Sequence, residues 1–224
     1  MNDNVVNKKS FLSQVTEIVK TNIRNIIILL SLCFVLFLSF QIYSFYISNK
    51  IQKNSISFFA TQNTDDTNVI TDTITKLSND NTFYGVLAKL ELIDLTLKQN
   101  NIEDSISMYL EVINQNNLES VYKSAIASKA SYQLIDINFE NLSLNYLNVI
   151  NDFISYIDDE ADSYKGIKLE LKYLIKILEA EKNSSDYSSF NEVNDIYENI
   201  MSSDVVSSAI KERVNKIHEF YSNK

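Results

Sequence analysis

Side chains able to do acid–base, nucleophilic or metal chemistry are few and scattered in this chain. His218 is the only histidine and Cys33 the only cysteine, which excludes a His-rich metal site, a His-based triad, a zinc cluster and an intramolecular disulfide. His218 follows Ile217 near the polar side of its segment and is expected on the surface. Cys33 sits in an apolar run where hydrocarbon suppresses the thiolate, so it is expected to face lipid or fill space. The densest acidic cluster, Asp158-Asp159-Glu160-Asp162, lacks the glycine and the spaced oxygen ligands of a calcium loop. It reads as a linker whose acids favour the N-terminus of the next helix. Asp65-Asp66 reads the same way.

Gly85 and Gly166, the only two glycines, form no phosphate-cradling loop and no G-x-S-x-G elbow, and Cys-x-x-Cys is absent. The chain is therefore expected not to be an enzyme, with no catalytic, cofactor-binding or metal-ligating residue and no cofactor. A membrane-bound hydrolase would need convergent polar residues that the sequence does not display. The 25 Tyr and Phe residues recur at helical spacing, so most are expected in packing, and only those on an exposed concave face would bind a partner. Asn141-Leu142-Ser143 and Asn183-Ser184-Ser185 fit the glycosylation sequon.

The element everything else is organised around is Ile26–Ile47, IIILLSLCFVLFLSFQIYSFYI, which carries no charge. At ~1.5 Å per residue it spans ~33 Å, the thickness of a bilayer's hydrocarbon, and reads as a transmembrane helix. It is too long for a cleaved signal peptide and ends in Tyr43, Phe45 and Tyr46 where a cleavage site needs small residues. Those aromatics, with Arg24 before the span and Lys50 after it, are the expected membrane-interface residues. Residues 1–25 carry Lys8, Lys9, Lys20 and Arg24 against Asp3 and Glu17, net +2, while residues 48–224 are net −11. The basic excess places the short N-terminus in the cytoplasm and exports the large acidic part. That acidity disfavours nucleic acid as a partner.

With no proline and two glycines, hairpin turns and bulges are hard to make, so the remainder is expected to be all-α. Residues 10–25 form an amphipathic lead into the span. After it the helix continues through Ser48–Ala60, Asn63, Asp65 and Asp66 interrupt it, and Val69–Leu77 returns as a short helix. Asn81 or Thr82 caps a helix that is apolar on two sides, FYGVLAKLELIDLTLK. Asn100-Asn101 makes a left-handed turn into IEDSISMYLEVI.

Thirty-seven residues on, Phe139-Glu140 through Ile150 aligns without gaps on Ile102-Glu103 through Ile113, each copy following a long helix, the second of them Glu119–Asp136. That periodicity predicts stacked helical hairpins. A third pair covers residues 164–178 and 190–201, and an amphipathic helix, Val205–Tyr221, closes the stack. The expected organisation is a cytoplasmic lead (1–25), a transmembrane helix (26–47), a helical stalk with a first hairpin (48–81), and a helical repeat domain with its cap (82–224).

The order of parts resembles that of the single-span periplasmic tetratricopeptide-repeat-like proteins, which include the ancillary subunit of the bacterial SecYEG translocon. Tyr84, Leu87 and Ala88 match a YxxLAxLxL-like first helix. Ser105, Tyr109 and Val112 match an A-x-x-x-Y-x-x-V-like second helix, echoed by Tyr146 and Val149. Ile93 replaces a small residue of that pattern, Asn100-Asn101 replaces its Gly-Asp turn, and its terminating proline is absent. The resemblance implies an α-solenoid of antiparallel hairpins anchored in the inner membrane. Its periplasmic part would bind translocon subunits, periplasmic chaperones or newly exported polypeptides. The alternative is a scaffold that holds a stable partner in a cell-envelope or division complex.

Overall fold

The computed structural model describes residues 11–116, 118–141, 143–158, 162–182 and 187–222. Among them every regular element is a helix. The chain divides into two compact units, with the boundary between Gly85 and Val86, four residues beyond the expected junction and just inside a helix.

In the first unit α1 runs unbroken over Phe11–Thr61, 51 residues or ~77 Å of helix. The lead, the span and the stalk are thus one rod. Side chains through the span are exposed, Leu29 to 61%, Phe40 to 66% and Phe45 to 70%, and the helix is long and apolar enough to cross a membrane. α2, Thr67–Ser78, packs back on α1 and buries Ile74 and Leu77, as α1 buries Phe58. It starts where Asp66 Oδ1 accepts from the amides of Asn68 and Val69, at 3.0 and 3.3 Å, which satisfies two donors the helix leaves open. The following loop is tied to α1 by Lys50 Nζ on Asp80 Oδ1 (2.8 Å) and by Asn54, which donates to Asp80 Oδ2 and to Thr82 Oγ1 at 2.9 Å each. Thr82 Oγ1 in turn accepts from the Gly85 amide at 3.3 Å, capping α3, Phe83–Lys98.

The second unit holds the rest of α3, then α4 (Ile102–Ile113), α5 (Ser120–Asn141), α6 (Leu147–Ser155), α7 (Asp162–Lys182), α8 (Tyr187–Ser202) and α9 (Ser208–Ser222). Asn100 takes φ 63°, the left-handed turn expected there. α5 packs on α4, α6 and α7; α7 packs on α6, α8 and α9 as well; α9 also meets α8. Two apolar clusters result. The larger centres on Ile93, Tyr109, Ile135, Ile150 and Phe153; the other on Tyr173, Ile177, Ile200 and Val214. α5 approaches its neighbours with a stripe of small residues, Ser124, Ala127, Ser128, Ala130 and Ser131, all buried. The hydroxyls of Ser128 and Ser131 bond back to the carbonyls of Ser124 and Ala127, so they leave no open polar group in the contact.

Two expectations need correction. The gap-free repeat does not survive as matching helices. α5 runs on to Asn141, so Phe139-Glu140 ends a first helix instead of starting a second, and Tyr146 is the N-cap of α6 whereas Tyr109 lies inside α4. The buried face of α5 continues through Leu134, Ile135 and Asn138, and nothing before residue 142 breaks it. The stop comes where the amide of Ser143 bonds the Asn138 carbonyl (3.0 Å) and its hydroxyl bonds Asn138 Oδ1 (2.8 Å). The closing helix likewise begins at Ser208, not Val205, with Ser207 Oγ accepting from the Ile210 amide at 3.4 Å; Val206 is buried in the preceding turn.

A Cβ at Gly85 would lie 1.9 Å from the Asp80 carbonyl oxygen, a backbone atom that cannot yield cheaply. Gly85→Ala is expected to destabilise the protein by about 2 kcal/mol, read as a lowered melting temperature in detergent by circular dichroism.

Candidate functional site

Among the described residues no three His, Cys, Asp or Glu side chains gather in a way that could hold a metal. Asp159 and Glu160 of the expected acidic linker and the sequon at Asn183 fall outside the described residues. Asp158 accepts from the Ser120 hydroxyl at 2.7 Å. Asn141, in the other sequon, donates its side-chain amide to the Ile137 carbonyl at 2.8 Å. Cys33 is exposed on the apolar rod.

Ala88, Ser105, Tyr109 and Val112 are buried in the second unit, with Ser105 Oγ bonding the Asn101 carbonyl at 2.9 Å. Leu87, Tyr146 and Val149 are half-buried. Tyr84, also half-buried, lies between Phe58 and Phe59 with ring centroids 6.1 and 6.0 Å away. Tyr109 meets Phe153 edge-on at 6.0 Å. Arg24, Tyr43 and Tyr46 are exposed along α1, whereas Lys50, assigned to the membrane interface, is engaged by Asp80.

Polar residues that the sequence did not single out gather on α3 and α5. Asp94 accepts from Lys129 Nζ at 2.7 Å and from Gln133 Nε2 at 3.0 Å, and Gln133 Oε1 takes the Tyr109 hydroxyl. Beside this network a groove of about 380 Å³ opens, lined by Asp94, Leu97, Lys98, Gln133, Asp136 and Ile137. Burial in its wall, and then the charge of Glu140, hold the Asp136 carboxyl above the usual range. A carboxylate in that state favours an incoming donor or cation. The one available sequence signal is Asp94 inside the apolar run ELIDLTL, matched by Lys129 and Gln133 four apart on another helix.

Glu170 on α7 is 2% exposed. Arg213 of α9 grips it with Nε at 2.9 Å and Nη2 at 2.7 Å, and the Tyr132 hydroxyl of α5 donates at 2.7 Å. Both carboxylate oxygens are thereby bonded, and the cluster ties α5, α7 and α9 together. His218 is not the bare surface residue expected. It stacks on Tyr197 at 3.8 Å with an interplanar angle of 8°, and Nδ1 lies 3.2 Å from the Tyr173 hydroxyl. Partial burial lowers its pKa.

Comparison with protein-family models, curated proteins and solved structures finds no match to this chain.

Replacing Arg213 by Met strips the buried Glu170 of its cation and is expected to cost about 2–3 kcal/mol, discounted because Arg213 is itself half-exposed; the pair Glu170→Leu with Arg213→Met should recover most of the loss in the same thermal melt. His218 gives a pH dependence of definite sign. Its folded pKa lies below the ordinary 6.5, so the unfolded chain binds the proton first, and stability present above 6.5 is lost as pH falls through the folded value. Melting temperature measured from pH 7 to pH 5 should fall, and His218→Gln should flatten that slope.

Proposed function

We infer that the chain is a membrane-anchored helical-repeat adaptor that works by binding proteins in the periplasm, at or near the protein-export translocon, with chaperones or newly exported chains. The observation that carries this reading is the unbroken α1, which joins the apolar span to the first helical hairpin without a flexible joint. The rod extends beyond Ile47 by 14 residues, or ~21 Å. A partner already at the membrane therefore meets the exported part at high effective concentration, and a weak groove interaction suffices. The excess of Lys and Arg before the span supports an N-terminus in the cytoplasm.

The packing of α5 on α4 and α6, and of α7 on α5, α6 and α8, supports a tetratricopeptide-like stack in which successive hairpins share faces. The groove on α3 and α5 is then the natural seat for a segment of the partner. It offers apolar Leu97 and Ile137 beside the carboxylates of Asp94 and Asp136, a composition that suits recognition and supplies no nucleophile with its base.

A photocrosslinking amino acid at Asp136 should give adducts with translocon subunits, chaperones or secretory clients in native membranes. Absence of all three, or recovery of one stoichiometric envelope partner without the translocon, would refute the export setting. Protease added to sealed spheroplasts should digest the large domain; resistance until lysis would reverse the topology.

A further inference from the structure

A cleft between α7 and the end of α8 runs against the charge of the unit around it. Residues 86–224 carry 23 acidic and 13 basic side chains, net −10, yet Lys165, Lys168 and Lys172 together line this cleft of about 560 Å³. Offsets of three and four residues put them on one stripe of α7. Lys168 donates to the Ile157 carbonyl at 3.2 Å. Lys165 and Lys172 form no ion pair with a described residue, although the next lysine of that helix, Lys176, is held by Glu179 at 2.9 Å and Glu192 at 2.8 Å. Among the described residues these two amines are thus left uncompensated, facing a recess.

We propose that this cleft is a docking surface for an acidic peptide segment of a partner protein, with Lys165 and Lys172 as its charge contacts. The lysines at its two ends are separated by ~10 Å along the helix axis, the span of about three extended residues. A peptide with carboxylates on alternate residues can reach both ends, whereas a single phosphate reaches one. Leu169 and Val205 also line the cleft and accept aliphatic side chains between the acids, and the Asn199 amide can donate to and accept from a peptide backbone. This chemistry holds or fails independently of the export setting.

The test uses the full chain in nanodiscs of zwitterionic lipid and a fluorescein-labelled peptide of alternating acid and valine, Asp-Val-Glu-Val-Asp-Val-Glu, followed by fluorescence anisotropy. Saturable binding is expected, weakening steeply between ~50 and ~300 mM salt, with no binding of the Asn/Gln counterpart. Charge reversal by Lys165→Glu with Lys172→Glu should weaken binding by at least about tenfold. The milder Lys165→Gln with Lys172→Gln, with helix content checked by circular dichroism, should weaken it less but in the same direction. No saturable binding, equal affinity for the neutral peptide, or unchanged affinity in both double variants would overturn the proposal. So would full displacement by low-millimolar inorganic phosphate, which would mark a small-anion site.

Discussion

Glu170 governs the architecture of the second unit. A carboxylate at 2% exposure has lost its water and is tolerable only with a charge partner and filled lone pairs. Those partners come from different helices, Arg213 from α9 and Tyr132 from α5, so α5, α7 and α9 have to converge at one point and in one rotational setting. An apolar contact would accept many small rotations at similar energy; a bidentate guanidinium–carboxylate pair accepts few. Because α7 contributes Leu171 and Ile175 to one apolar cluster and Tyr173 and Ile177 to the other, fixing its rotation fixes how both are filled. The charge therefore specifies geometry, while the surrounding Ile, Leu and Phe supply most of the stabilisation.

Scarcity of glycine and proline shapes what the convergence looks like. Close approach has to be made by other small residues, and α5 carries them as its Ser/Ala stripe. Gly85 sits where a Cβ does not fit, and Gly166 where one would press on the end of a side chain. At Gly166 a Cβ would meet Ile210 Cδ1 at 3.1 Å, at the contact between α7 and α9 that Arg213 also ties. Left-handed turning falls to Asn100, whose short polar side chain makes φ 63° tolerable.

Local patterns made much of the helix content legible. The apolar run, the Asp66 cap, the Asn100 turn and the extent of α4 follow from spacing and capping chemistry within a few residues. The end of α5 was not legible in the same way. The likeness of Phe139–Ile150 to Ile102–Ile113 is a likeness of residue types, but helix ends are decided by which face stays buried, and Asn138 is buried by tertiary contacts that no local window contains. The polar site was hidden for a related reason. Asp94 lies 35 and 39 positions from Lys129 and Gln133, and Tyr132 lies 38 from Glu170, so each reads as an ordinary surface residue until the helices bring them together. Lys165 and Lys172 look like a solvated face because sequence shows their spacing but not that, among the described residues, no carboxylate pairs with them.

The two units present very different surfaces. α1 exposes almost every apolar residue of its span, and lipid is the solvent that suits it. In the second unit the large exposed hydrophobics among the described residues are few, Val121, Tyr122, Tyr156, Val205 and Phe220. In the proposed adaptor, recognition by this unit rests on charge and hydrogen bonding in grooves, which gives fast, selective and salt-sensitive association more than high affinity. Such surfaces are of limited use to a freely diffusing protein at low concentration. On the proposed membrane-anchored reading they become effective, since the anchor raises the local concentration of any partner held at the same bilayer. On that reading the long helix and the modest, charged clefts make physical sense as a pair: the first compensates for the weakness of the second, and that weakness would let each partner leave.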